Sequence, residues 1–238
     1  MNIMATIEKQ WKLVIGLFVL IVAIGGGVVL MNAQKEKKEL AAQSTYFVAE
    51  KKFLDLKNKK NPAPVDPTAK DKKPVAVVPA TPAEFAAIKP DFEKVIQDYP
   101  HSKAALMSAM YLADILANEK NLDQALATLK NVETKDAGLI NTLVQQEIGQ
   151  LQADKDQCAE AVKTWQQIID RKEASFLHND VKIQQALCYK KLNQDQKAEE
   201  ILTNLTNQKT DGSLEASTTS KEASKYLRLM QFKKASGT

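Results

Sequence analysis

The stretch ALCYKKLNQDQKAEEIL, residues 186–202, reads as the end of one helix, a polar turn and the start of a second helix. Ala186 and Ala198 are small and stand twelve residues apart, with Leu187, Tyr189, Ile201 and Leu202 placed at helical spacing around the Asn193-Gln194-Asp195 turn. The same unit recurs upstream. AEAVKTWQQI (159–168), DQALATLKNV (123–132) and FAAIKPDFEKVIQDYP (85–100) each open a second helix, anchored at Ala161, Ala125 and Ile88, and the anchor spacings down to Ala198 are 37, 36 and 37. Polar turns at 118–121 (NEKN), 153–156 (ADKD) and 192–195 (LNQD) precede the last three.

A helix–turn–helix unit of this period matches tetratricopeptide arithmetic. With the second-helix alanine counted as position 20 of a 34-residue motif, the small position 8 falls on Ala113, Gly149 and Ala186. Position 11 falls on Leu116, Gln152 and Tyr189, and the large position 24 on Phe92, Leu129, Trp165 and Leu202. The closing proline of a repeat occurs once, in Tyr99-Pro100, so the copies are degenerate. Small residues at 8 and 20 let two helix backbones approach, and the large residue at 24 fills the space between neighbouring pairs.

Composition agrees. All eight Pro lie between Pro62 and Pro100, and residues 101–238 hold only four Gly, which disfavours a fold built on tight β-turns. The expected architecture is all-α. Its helix pairs are 33–58 with 83–98, 102–118 with 121–134, 137–153 with 156–171, and 178–192 with 195–208. A loop is expected at 209–220 and a capping helix and tail at 221–238. Repeats thus occupy 83–208. The Pro-rich stretch 61–82 reads as a linker inside the first pair.

Leu13 to Met31, LVIGLFVLIVAIGGGVVLM, is 19 residues without a charge, following a short N-terminus (1–12). At 1.5 Å per residue it spans the ~30 Å hydrocarbon core of a bilayer. Trp11 stands where an interfacial aromatic would, and Ala23 and Gly27 are spaced for close packing on a partner helix. The competing reading is a cleaved signal peptide ending at Ala23-Ile24-Gly25. Against it, the apolar run continues to Met31. Residues 32–60 read as a juxtamembrane helix, the first helix of the first repeat. From Lys35 to Ala80 there are 11 Lys against 6 acids, while residues 81–238 hold 20 basic and 22 acidic residues. The positive excess therefore sits beside the apolar segment, and lysine counting alone leans the repeats toward the cytoplasm.

Lys+Arg is 33 and Asp+Glu is 29, so a net charge of +4 makes no electrostatic case for nucleic acid. Two Cys and two His leave little from which to build a metal site, and no nucleotide, nucleophile or zinc-protease motif is present. The reading is a non-enzyme without cofactor or metal. Cys158 is position 17 of one second helix and Cys188 position 10 of the next first helix. They lie about one turn, ~5–6 Å, from facing each other, so a disulfide is possible with a small shift in register but is not implied. The concave face of such a solenoid is lined by first-helix positions 2, 5, 9 and 12. These include Met107, Met110, Asp114, Gln146, Gln150, Leu187 and Lys190, the expected partner-binding set. Methionines suit a surface that adapts to several partners, or else pack on a neighbouring helix.

The order of parts, with STYFVAEKKF (44–53), DYPHSKAALMSAMYLADILANEKNLDQALATLKNV (98–132) and ALCYKKLNQDQKAEEIL (186–202), resembles the YfgM-like ancillary subunits of the Sec translocon. The Pro-rich insert departs from that family's short turn. The resemblance implies an inner-membrane anchor, a periplasmic repeat domain, and contact with the SecYEG channel, with a membrane-anchored periplasmic chaperone and with client polypeptides. Two alternatives carry the same repeats: an envelope-assembly or cell-division coordinator released by signal cleavage, and a cytoplasm-facing scaffold.

Overall fold

The structure is a computed structural model that describes residues 11–60, 79–134, 138–207 and 214–236. Among these no strand occurs. The helices are α1 (Trp11–Lys60), α2 (Pro82–Ala87), α3 (Lys89–Asp98), α4 (Lys103–Asn118), α5 (Leu122–Val132), α6 (Leu139–Asp154), α7 (Cys158–Ile169), α8 (Ser175–Lys191), α9 (Asp195–Asn207) and α10 (Leu214–Ser236), with a 3₁₀ turn at Lys172–Ala174 before α8. Successive helices pack as antiparallel hairpins, and each hairpin stacks on the next to make an α-solenoid.

The small anchors do what their size allows. Ala113, Ala125, Ala161, Ala186 and Ala198 are all buried, as are the large residues Phe92, Leu129, Trp165 and Leu202. Gly149 is the extreme case: a Cβ there would stand 2.2 Å from Trp165 Nε1. The indole lies against the α6 backbone and donates its N–H to the Gln146 carbonyl at 3.3 Å. Gln152 departs from the usual aromatic at its position and is buried, and Thr164 satisfies it by donating to its Oε1 at 2.8 Å.

Starts and turns are equally local in origin. Ser102 and Asn121 cap α4 and α5 by accepting from Ala105 N and Gln124 N, and Thr81 with Glu84 forms a reciprocal capping box on α2. The three turns between paired helices are copies of one another. Lys120, Asp156 and Asn193 each have φ near +60°. The N–H of the following residue closes back on the carbonyl five residues earlier, Asn121 on Leu116, Gln157 on Gln152 and Gln194 on Tyr189. That is the Schellman ending, built here without glycine.

Several boundaries differ from expectation. The helix expected over 83–98 breaks at Ile88, because Pro90 has no N–H to donate and would press on the carbonyl one turn back. The loop expected at 209–220 is already helical from Leu214. Its end packs on α9: Ser220 Oγ donates to the Thr206 carbonyl at 3.2 Å, and Thr219 is buried. Residues 1–10, most of the Pro-rich linker (61–78) and 208–213 lie outside the described residues.

α1 is one unbroken helix of 50 residues. Its first half is uncovered, with Leu17, Phe18, Leu20 and Leu30 all more than half exposed. Its second half is core: Ala42, Tyr46, Ala49, Phe53 and Leu56 bury against α3 and α4. It is the one helix among the described residues long and apolar enough to cross a membrane.

Candidate functional site

Helices α4, α6 and α8 are the first members of their hairpins and lie side by side, α4 touching α6 and α6 touching α8. They line the concave face. Between α4 and α6 lies an open groove of about 350 Å³, formed by Met107, Met110, Tyr111, Asp114, Ile140, Leu143 and Glu147. Beyond it, an adjoining recess of about 340 Å³ is bounded by Gln146, Glu147, Gln150, Asp180, Ile183 and Gln184, with Trp165 behind and Glu222 of α10 at its edge.

The expected partner-binding residues therefore separate. Met107, Met110 and Asp114 meet in the groove, and Gln146 and Gln150 in the recess. Leu187 does not join them: it is half-buried against the core of α8, α9 and α10. Lys190 is also spent elsewhere, donating to both carboxylate oxygens of Asp195 at 2.9 Å across the hairpin turn. Of the expected membrane-packing pair, Gly27 lies on the uncovered half of α1, where a Cβ would meet nothing within 4 Å, and the Ala23 side chain is not among those described.

Two features escaped the sequence reading. Tyr111 joins the groove to the core. Its ring stacks on Phe92 at 5.4 Å and meets Phe53 at 4.8 Å, and its hydroxyl donates to Glu50 Oε1 at 3.0 Å, an oxygen that Tyr46 also reaches. Burial, with the donation to Glu50, pushes both tyrosines above the ordinary phenol range. Glu147 is the other. The residue is exposed on the groove rim, the packing around its carboxyl partly desolvates it, and Asp114 and Asp154 add like charge. All three effects raise it above the usual carboxylate range. No periodicity marks such a residue, because its neighbours come from another helix.

Cys158 of α7 and Cys188 of α8 are joined as a disulfide, with a Cα–Cα distance of 5.1 Å, so it ties one hairpin to the next. No group of three or more His, Cys, Asp or Glu able to hold a metal ion occurs among the described residues. His178 is engaged structurally, its Nε2 lying 2.9 Å from the Arg171 carbonyl.

No protein-family model matches the chain. No curated protein matches it either. Solved structures do. A Podosopora anserina putative kinesin light chain with nearly identical TPR-like repeats aligns at 13% identity and a TM-score of 0.51, over 82% of this chain and 97% of that one. A singly substituted form of the same repeat protein aligns at 12% and 0.51, over 84% and 98%. The crystal structure of MamA aligns at 16% and 0.45, over 65% and 91%. At these identities the kinesin-light-chain likeness shows the fold: a TPR-like α-solenoid.

Proposed function

We propose that the chain is a non-enzymatic, inner-membrane-anchored adaptor that binds polypeptide segments on its concave face. On this reading it acts at the Sec translocon, assisting secreted or envelope proteins together with a membrane-anchored periplasmic chaperone. The observation that carries the reading is the combination of an open, methionine-floored groove with a first repeat helix continuous with an uncovered apolar helix. Methionine is flexible and polarisable, so such a floor accepts varied side chains, as a surface serving many clients requires. A tether in the same bilayer as the channel raises the local concentration of the groove near emerging chains. The Cys158–Cys188 disulfide supports an oxidising compartment for the repeats, against the lean of the lysine count.

The test is photocrosslinking in intact cells from residues 107 and 110, with exposed Lys163 on α7 as the control position. Capture of translocon subunits and secreted polypeptides from 107 and 110 but not from 163 is the expected result. Equal capture from all three refutes a concave site. A mature protein lacking about 25 N-terminal residues would favour the released coordinator, and protection of the repeats from protease in spheroplasts would favour the cytoplasmic scaffold.

A further inference from the structure

The groove and the terminal helix carry opposite charges on matching apolar ground. Asp114, Glu147, Asp180 and Glu222 edge the groove and recess, and no basic side chain lines either. None of these four acids forms an ion pair among the described residues, in a protein whose net charge is positive. The apolar floor is Met107, Met110, Ile140 and Leu143.

α10 presents the counterpart. Lys221, Lys225, Arg228, Leu229 and Phe232 recur at helical spacing on one face, which no acid lines. Leu229 is 51% exposed and Phe232 72% exposed. The last helix of a solenoid ordinarily turns a polar face outward to end the stack. This face is lined by α10 alone, so no other described helix covers it.

We propose that α10 of one molecule docks across the concave groove of a second copy of this chain. The dimensions agree. Lys221 to Phe232 spans about 16 Å at 1.5 Å per residue. Asp114, Glu147 and Asp180 sit on α4, α6 and α8, three adjacent helices whose axes are about 8–10 Å apart, so the acid row spans roughly 16–20 Å. Lys225 and Arg228 then meet the row of acids while Leu229 and Phe232 enter the methionine floor. A cation arriving beside Glu147 also relieves the like-charge crowding from Asp114 and Asp154. Reciprocal exchange closes a two-fold dimer and covers both surfaces at once. The inference rests on the concave face being a polypeptide-binding site, and it makes α10 a competitor of foreign segments for that site.

The test uses the full chain in its native membrane with a photocrosslinker at residue 232. The expected product is a covalent dimer whose linked peptides come from α10 and from α4 or α6. The pair Lys225→Glu with Arg228→Glu lowers the dimer at least tenfold, as does Glu147→Lys with Asp180→Lys, and mixing the two variants restores it. All four residues are exposed, and an unchanged thermal transition for each variant checks the fold. Crosslinks from residue 232 to lipid or to another protein, or no restoration on mixing, overturn the inference. If residues 107 and 110 still capture secreted polypeptides in that case, the adaptor reading stands without it. If they capture none while the dimer forms, the adaptor reading falls alone.

Discussion

Replacing Gly149 by alanine sets two known effects against each other. In a helix interior the change gains about 1 kcal/mol from propensity alone. Here, however, the new Cβ would lie 2.2 Å from Trp165 Nε1, 2.6 Å from Cδ1 and 2.7 Å from Cε2. Ordinary contact begins near 3.4 Å, so the worst overlap is about 1.2 Å, far up the repulsive wall. The indole cannot swing aside, being 1% exposed and hydrogen-bonded to the Gln146 carbonyl. α7 must move off α6. Overpacking of this kind costs about 1–3 kcal/mol, and three clashing atoms of a rigid ring place it at the upper end. The net expectation is a loss of about 2 kcal/mol, or a Tm lower by roughly 4–8 °C for a domain of this size. Thermal and denaturant unfolding followed by circular dichroism measure it. Trp165→Leu in the same chain should recover part of the loss, because the clash is then absent. A Gly149→Ala protein as stable as the parent would refute the close-approach account of this repeat.

Removing the disulfide by Cys158→Ser with Cys188→Ser should cost about 3–4 kcal/mol, from the entropy of a closed loop whose ends are 30 residues apart, read by denaturant midpoint with the reduced parent as a match. Lys120→Gly should stabilise by about 0.5–1 kcal/mol, since glycine relieves the left-handed backbone at φ 66°, and an unchanged or lower midpoint would contradict it. Tyr46 and Tyr111 keep their protons in the fold above the ordinary phenol range, whereas the unfolded chain releases them near pH 10. Stability should therefore fall as pH rises past about 10, and Tyr46→Phe should flatten that fall in alkaline unfolding curves. The Glu147 carboxyl is likewise raised in the fold, so its ionisation opposes folding as pH climbs from the unfolded carboxylate range. Glu147→Gln should then raise stability slightly at neutral pH and leave acid stability unchanged, as urea midpoints at the two pH values would show.

Much of the solenoid was legible because backbone approach is decided by single small residues. Ala113, Ala125, Ala161, Ala186 and Ala198 announce themselves by spacing and are all buried. Met107, Met110 and Asp114 were legible for the same reason, since helical phase fixes which side they take. Phase alone does not say what a neighbouring element contributes, and there the reading failed. Leu187 has concave phase but is drawn into the core by α10, and Lys190 finds Asp195 across a turn. The Ser/Thr run before Lys221 has the composition of a loop, yet it is helical, and α9 supplies the partner of Ser220. The turns at 118–121, 153–156 and 192–195 were legible from their polar residues, but their left-handed closure was not. Lys120, Asp156 and Asn193 adopt a backbone that favours glycine, and three repeated hydrogen-bond closures hold them there.

The unbroken course of α1 fixes a compass heading. Its uncovered half and its core half share one helical axis with no swivel between them. Each residue added or removed between Met31 and Leu40 would therefore turn everything after it by about 100° and lift it by about 1.5 Å. One extra alanine there would aim the concavity nearly sideways, two would reverse it, and four would return it almost to its original bearing a single pitch farther out. Which compass point the docking face needs could thus be read by lengthening this mast one step at a time.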